Sequence, residues 1–259
     1  MTGHRTSKIA VTLVALLALG AAVVPAVSAG SPGGAAPGVL MLPDGSPLVV
    51  RLGNPLLRAS GNGIGIAVRA TAMLHGRVRV AGNVAHGTGT VSIQRHDLLT
   101  GWTTVASAAV AADGRFVATW HPDVVGPLQL RAVSGIPAAG IADDDPSAPQ
   151  LGVNVYRPGV ASWYGPTSPD TTTACGVPLG RWTLGVAHRT LPCGTPVALY
   201  YKGRTVVVPV IDRGPFLKGR TWDLTRATHA ALGGDAGLIR VGALPMPAPP
   251  AATPAAGHR

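Results

Sequence analysis

From about Ile64 the chain falls into short alternating or β-branched runs: "GRVRVAGNV", "GTVSIQRHD", "GWTTVASAAV", "GRFVATWHP" and "GPLQLRAV". Glycine-containing turns separate them at nearly regular intervals. A two-residue period is that of a strand with one buried face, and short strands at this spacing predict an antiparallel β-sandwich over residues 61–135. Val91, Ile93, Trp102, Phe116, Ala118 and Trp120 are expected to face inward, and Asp113-Gly114 to close a hairpin. A second strand-rich stretch covers residues 158–245, with "GVASWYG", "TLGVAH", "TPVALYY", "RTVVVPVI" and "LIRVGAL" as strands. Its one helical pattern is "LTRATHAALGG", where Thr225 can cap the start and Gly233 can stop the end. Six or so short strands and one short helix predict a small closed barrel. The fold class expected is mainly β, a sandwich followed by a barrel.

The flanks lack such a period. Arg5 and Lys8 precede an almost unbroken apolar run from Ile9 to Val24, and small residues at Val27-Ser28-Ala29 lead into Gly30. This is the layout of a cleaved secretory signal peptide over residues 1–29. The apolar run is short for a membrane anchor. The first cysteine is Cys175, far from the cut, so no lipoprotein is expected. Residues 30–60 read as a flexible Gly/Pro-rich leader, residues 136–157 as a linker, and residues 246–259 as a disordered Pro/Ala tail. The linker holds Asp143, Asp144 and Asp145, which lack the alternating spacing and distal Glu of a calcium loop.

Charge and cysteines narrow the setting. Removing residues 1–29 takes away Arg5 and Lys8 and no acid, so the formal charge falls from +10 to +8. An exported basic chain meets anionic cell-wall polymers first. Without a tight Lys/Arg cluster interleaved with aromatics, nucleic acid is not the expected partner. The two cysteines, Cys175 and Cys193, default to one disulfide in an oxidising compartment; the alternative is a thiol nucleophile with His188 as its base. His75, His86, His96 and His121 have no metal-ligand spacing, and neither metal nor cofactor is expected.

Several ordered motifs are recognisable. "ASWYG", "TACG", "AHRTLPCGTPV" and "GRTVVVPVIDRGPFLKGRTWDLTRATHAALG" resemble the rare lipoprotein A family, double-psi β-barrel domains related to expansins and to some lytic transglycosylases. The sandwich resembles, by pattern alone, the small immunoglobulin-like modules of exported bacterial proteins. The family resemblance implies a six-stranded double-psi barrel with a groove for peptidoglycan glycan. It carries the family's site histidine onto His188 and its site aspartate onto Asp212. Asp223 falls where the expansin relatives and a distant transglycosylase have their critical aspartate. Ser162 and Tyr164 fall where expansins line their groove, and the cysteine pair resembles a secreted, disulfide-bearing subgroup. One departure is Val177, where transglycosylase members usually carry a Glu.

The chemistry implied is lytic cleavage, in which one carboxyl protonates the leaving oxygen and then takes the proton of the attacking sugar hydroxyl. Asp212, His188 and Asp223 are the catalytic candidates; Ser162, Tyr164, Arg213 and Trp222 are the substrate-binding ones. Each has a plainer alternative. For Asp223 it is a helix-capping carboxylate, for Asp212 a turn former, for His188 a partner of the Asp212 carboxyl, and for Trp222 a core residue. Of Trp163 and Tyr164, alternation sends one to the core and one to the groove, with Tyr164 expected in the groove. Three functions follow: a secreted peptidoglycan lytic transglycosylase, a non-catalytic expansin-like wall-binding protein, and an interaction protein such as a protease inhibitor.

Overall fold

The computed structural model describes residues 53–85, 89–135, 147–168 and 170–247. The expected signal peptide, most of the leader, His86, the Asp143–Asp145 run and the tail beyond residue 247 lie outside the described residues.

The first module comprises β1 (Leu56–Gly61), β2 (Ile64–Arg69), β3 (Thr71–Met73), β4 (Val78–Val84), β5 (Gly89–Asp97), β6 (Gly101–Val110), β7 (Arg115–Trp120) and β8 (Gly126–Ser134). One sheet runs β1-β2-β4-β7, and a second joins β8, β5 and β6. As the alternation predicts, Phe116, Ala118 and Trp120 from the first sheet are buried against Val91 and Ile93 from the second, in one core that Ile64, Ile66 and Leu130 also join. Burial of this kind is worth about 1.5–3 kcal/mol for each large side chain.

β9 (Gln150–Tyr164) is 15 residues long and belongs to both modules. Its first half pairs with β8 and β3; its second half enters the barrel. The barrel continues with β10 (Val186–Ala187), β11 (Pro196–Tyr201), β12 (Arg204–Asp212), β13 (Trp222–Thr225), the helix α1 (Arg226–Leu232) and β14 (Ile239–Pro245). Around it the order is β9-β14-β11-β12-β10-β13, and β13 pairs back onto β9 to close six strands. Val186, Val197, Val208, Leu224 and Val241 fill its interior. Thr225 caps α1 by accepting the Thr228 N–H, and Gly233 ends it in the left-handed conformation (φ 68°), as the sequence pattern requires.

Several expectations change. The linker does not extend to residue 157, because residues 150–157 are β9, and the leader does not reach residue 60, because β1 begins at Leu56 and pairs with β2. Asp113-Gly114 makes a tight turn without a hairpin: β6 pairs with β5 and β7 with β4, so the chain crosses from one sheet to the other. Local turn chemistry specifies a reversal, not the sheet that the next strand joins. Trp102 is not in the core; its ring lies 4.3 Å from the Arg131 guanidinium, on the opposite face of its sheet from Leu130 and Ala132. β13 escaped the sequence pattern, since four residues between a loop and a helix are too few to show a period.

Gly185, just before β10, allows a close approach. A Cβ there would lie 2.3 Å from Ile211 Cδ1. Gly185→Ala is expected to cost about 1–3 kcal/mol of unfolding free energy, read as a lower denaturation midpoint; an unchanged midpoint would remove the close-packing argument.

Candidate functional site

The outer face of the β9–β13 pair gathers polar groups. In the parallel register Asp223 lies beside Ser162, and Thr225 beside Tyr164. Alternation along β9 puts Ser162 and Tyr164 on one face, and neighbours in register share that face. Ser162 Oγ, Tyr164 Oη and Asp223 Oδ1 are all buried and make no hydrogen bond of good geometry; the Ser162 hydroxyl faces the Asp223 carboxyl and the Tyr164 phenol faces that of Asp212. Natively buried polar atoms are nearly always well paired, so three atoms on one face whose mutual contacts fall short of good hydrogen bonds mark a surface built to receive a polar ligand. Asp223 is not a helix cap, since Thr225 takes that role.

Burial raises the Asp223 carboxyl above its ordinary 3.8. The Ser162 hydroxyl and the Arg220 charge oppose that rise, and the Asp212 charge adds to it. Burial, followed by the Asp212 charge, pushes the Tyr164 phenol far above the usual range, so it stays a protonated donor.

Asp212 ends β12. Its Oδ1 accepts the N–H of Arg213 at 2.8 Å and of Ala174 at 2.9 Å. The Ala174 contact depends on a strap over residues 173–177, where Cys175 N–H donates to the Ile211 carbonyl at 3.2 Å. The expected disulfide joins Cys175 to Cys193 and excludes a free thiol nucleophile at either position. Val177 is 7% exposed and packs with Leu179 and Ile211 against Tyr164. The position where the resemblance implies a Glu is therefore an apolar support beneath the tyrosine.

Two arginines clasp the loops around Asp212. Arg213 donates to the Leu191 carbonyl at 2.9 Å and to Cys193 Sγ at 3.1 Å. Arg189, from the other loop, donates to the carbonyls of Pro215 at 2.6 Å, Arg220 at 2.9 Å and Leu217 at 3.3 Å. Arg213 was expected to bind substrate, but its guanidinium is committed to backbone; a planar fork of five donors suits that role. Arg189 stands in the "AHRTLP" motif, yet nothing in the sequence revealed its acceptors.

His188 and Trp222 stand apart from the carboxylates. The β10–β13 register continues to place them opposite each other, and their ring centroids are 4.5 Å apart. Trp222, at 5% exposure, packs in the barrel core on the reverse face from Asp223, because adjacent strand residues point oppositely. The expectation that Trp222 forms a platform beside Asp223 is corrected accordingly. His188 Nδ1 accepts the N–H groups of Leu191 at 3.1 Å and Thr190 at 3.3 Å. Its imidazole makes no hydrogen bond or ion pair with Asp212; only its backbone N–H meets the Asp212 carbonyl, at 3.2 Å. Burial, then the Arg189 and Arg213 charges, lowers its pKa, so the ring is neutral at pH 7 with its proton on Nε2.

Trp163 is not core as the alternation argument had it. It is 38% exposed, beneath the Arg226 guanidinium and beside His229. Trp182 and Phe216 are more exposed still, on the loops that follow β9 and β12. No sequence signal separates such aromatics from core ones.

Residues 157–243 match the profile of a family described as lytic transglycolase. A "probable endolytic peptidoglycan transglycosylase RlpA" of Aquifex aeolicus is 41% identical over 95 residues, 36% of this chain and 40% of that one. The endolytic peptidoglycan transglycosylase RlpA of Pseudomonas aeruginosa is 37% identical over 97 residues, 36% of this chain and 28% of that one. The matched region thus spans well under half the length of these relatives. Among solved structures, the Streptomyces papain inhibitor aligns at 27% identity over 33% of this chain and 91% of its own, with a TM-score of 0.27.

Two outcomes are expected. Replacing Cys175 and Cys193 by alanine removes about 3 kcal/mol of stability for a loop of this size and accelerates hydrogen exchange at the Ala174 amide; unchanged exchange there would show that the strap stands without the cross-link. Because the folded Asp223 carboxyl has a raised pKa, its contribution to stability is full below 3.8 and is lost as pH rises through the folded value. Asp223→Asn should therefore melt higher than wild type at neutral pH, with the gap closing as pH falls below that range. A pH-independent gap in thermal denaturation would contradict the desolvation of this carboxyl.

Proposed function

Because residues 157–243 form a double-psi β-barrel domain of the RlpA-like family, we propose that this protein cleaves peptidoglycan glycan as a lytic transglycosylase, with Asp223 as acid and base. The observation that carries the proposal is the row of buried polar atoms without a well-formed hydrogen bond, Ser162 Oγ, Tyr164 Oη and Asp223 Oδ1, the last belonging to a carboxyl whose pKa burial raises.

In the first half of the reaction, protonated Asp223 gives its proton to the glycosidic oxygen as the bond from C1 to that oxygen breaks. In the second half, the resulting carboxylate takes the proton of the sugar's own 6-hydroxyl as its oxygen bonds to C1. The products are a free hydroxyl on one fragment and a 1,6-anhydro ring on the other. No water is consumed, and Asp223 ends protonated as it began. Tyr164 and Ser162 supply hydroxyls that orient the substrate, and Asp212 places a fixed negative charge near a developing oxocarbenium ion. Arg189, Arg213 and the disulfide hold the loops that carry this geometry.

We place the action outside the cytoplasm, in keeping with the relatives' names, the signal-like N-terminus and the basic charge. Among the described residues no helix is long and apolar enough to cross a membrane. Val177 favours a second reading: with an apolar residue where the resemblance implies a Glu, the groove binds wall glycan without cutting it.

Digestion of purified wall glycan, intact and stripped of peptide, separates the two readings. Wild type is expected to release 1,6-anhydro products detectable by mass spectrometry. Asp223→Asn should lose about 10²–10⁴-fold in rate, the range of general acid–base catalysis, and Tyr164→Phe a smaller factor. Salt-sensitive binding to walls with no anhydro product from either substrate would establish the binding reading instead.

A further inference from the structure

His188 belongs to a recognisable motif, yet its imidazole faces away from the aspartates, and the reaction above gives it no part. It lines a cavity of about 460 Å³ between the two modules, which also meets Arg157, Thr221, Trp222, Leu191 and Pro127. That volume lies in the range of small-ligand sites, which are mostly apolar with a few placed polar groups. The cavity exists because β9 runs unbroken from one module into the other, which brings the β8 strand of the sandwich against the barrel.

The polar side chains on its wall all offer donors. The two backbone N–H groups on His188 Nδ1 fix the tautomer, so Nε2 carries the proton, and it has no partner among the described residues. The Trp222 indole N–H has none there either. Arg157 is exposed, and its guanidinium makes no hydrogen bond or ion pair among the described residues. No carboxylate lines the cavity. One free guanidinium and further N–H donors within apolar walls are complementary to a single anion on a small aliphatic body.

We propose that this junction cavity binds a small aliphatic carboxylate, with Arg157 pairing the anion and His188 donating to it. The site backs onto the proposed groove: Trp222 faces the cavity and Asp223, the next residue, faces the glycan. The inference does not depend on glycan cleavage, because the ligand is defined by the charge and walls of the cavity alone.

Titrating the full-length protein, ¹⁵N-labelled, with N-acetyl-dialanine and with its C-terminal amide tests the proposal. The acid should give saturable shifts at the Trp222 indole and Thr221 amide signals, and the amide should bind at least tenfold more weakly. Arg157→Gln, an exposed change that spares the core, should weaken the acid at least tenfold. Asp223→Asn should leave this binding unchanged while slowing release of anhydro product by about 10²–10⁴-fold, so the failure of one proposal is separable from the failure of the other. A muropeptide with a free stem carboxylate, titrated in parallel, identifies the source: preference for it assigns the site to wall peptide, and preference for the dipeptide to soluble peptide, both within the proposal. Equal binding of acid and amide, no effect of Arg157→Gln, or shifts confined to Ser162, Tyr164 and Asp223 would overturn it.

Discussion

The four-residue strand β13 is the constraint on which the barrel and its site depend. Backbone N–H and C=O groups must find partners when buried, and an open sheet would leave rows of them exposed along its two edges. β13 supplies partners on both sides, parallel to β9 and antiparallel to β10. That double pairing closes the barrel and sets the register of everything nearby. Asp223 stands beside Ser162 because the ladder puts it there, and its carboxyl is desolvated because strands crowd it on both sides. A slip of one residue would turn Asp223 into the core and Trp222 onto the groove.

The loops around this strand are irregular, and their order comes from side chains. Arg189 holds the carbonyls of the loop after β12, while Arg213 holds those of the loop after β10. Each loop is thus tied by an arginine from the other, and the disulfide adds the strap that carries Ala174 to Asp212. Backbone carbonyls with no strand to join are satisfied by guanidinium forks instead. The same reciprocity keeps Arg220 within electrostatic reach of Asp223, which links loop order to the protonation of the carboxyl.

Alternation along β13 gives the barrel two separate surfaces. One carries the Ser162 and Tyr164 hydroxyls and the raised carboxyl; the other carries the His188–Trp222 stack and opens toward the sandwich. The sandwich is therefore more than a spacer, since it forms one wall of the junction cavity and shares β9 with the barrel. The continuity of β9 is also what the linker expectation overlooked. Pro158 and Gly159 resemble a break, but each half of the strand has its own pairing partners and the chain runs straight through.

Short-range information in the sequence determined the β class, the positions of most strands, the caps at Thr225 and Gly233, and the cysteine pair. Alternation, turn chemistry and capping act over two to four residues, so they can be read along the chain. Motif resemblance brought Asp212, Asp223, His188, Ser162 and Tyr164 to attention but could not say which of them meet. That was decided by contacts such as the one between residues 162 and 223, which only barrel closure brings together. The tertiary structure moved Trp222 and His188 to the reverse face, committed Arg213 to the backbone, and made Val177 a support for Tyr164. It also raised the Asp223 pKa, because desolvation depends on how many distant strands surround a group, and no local pattern records that number.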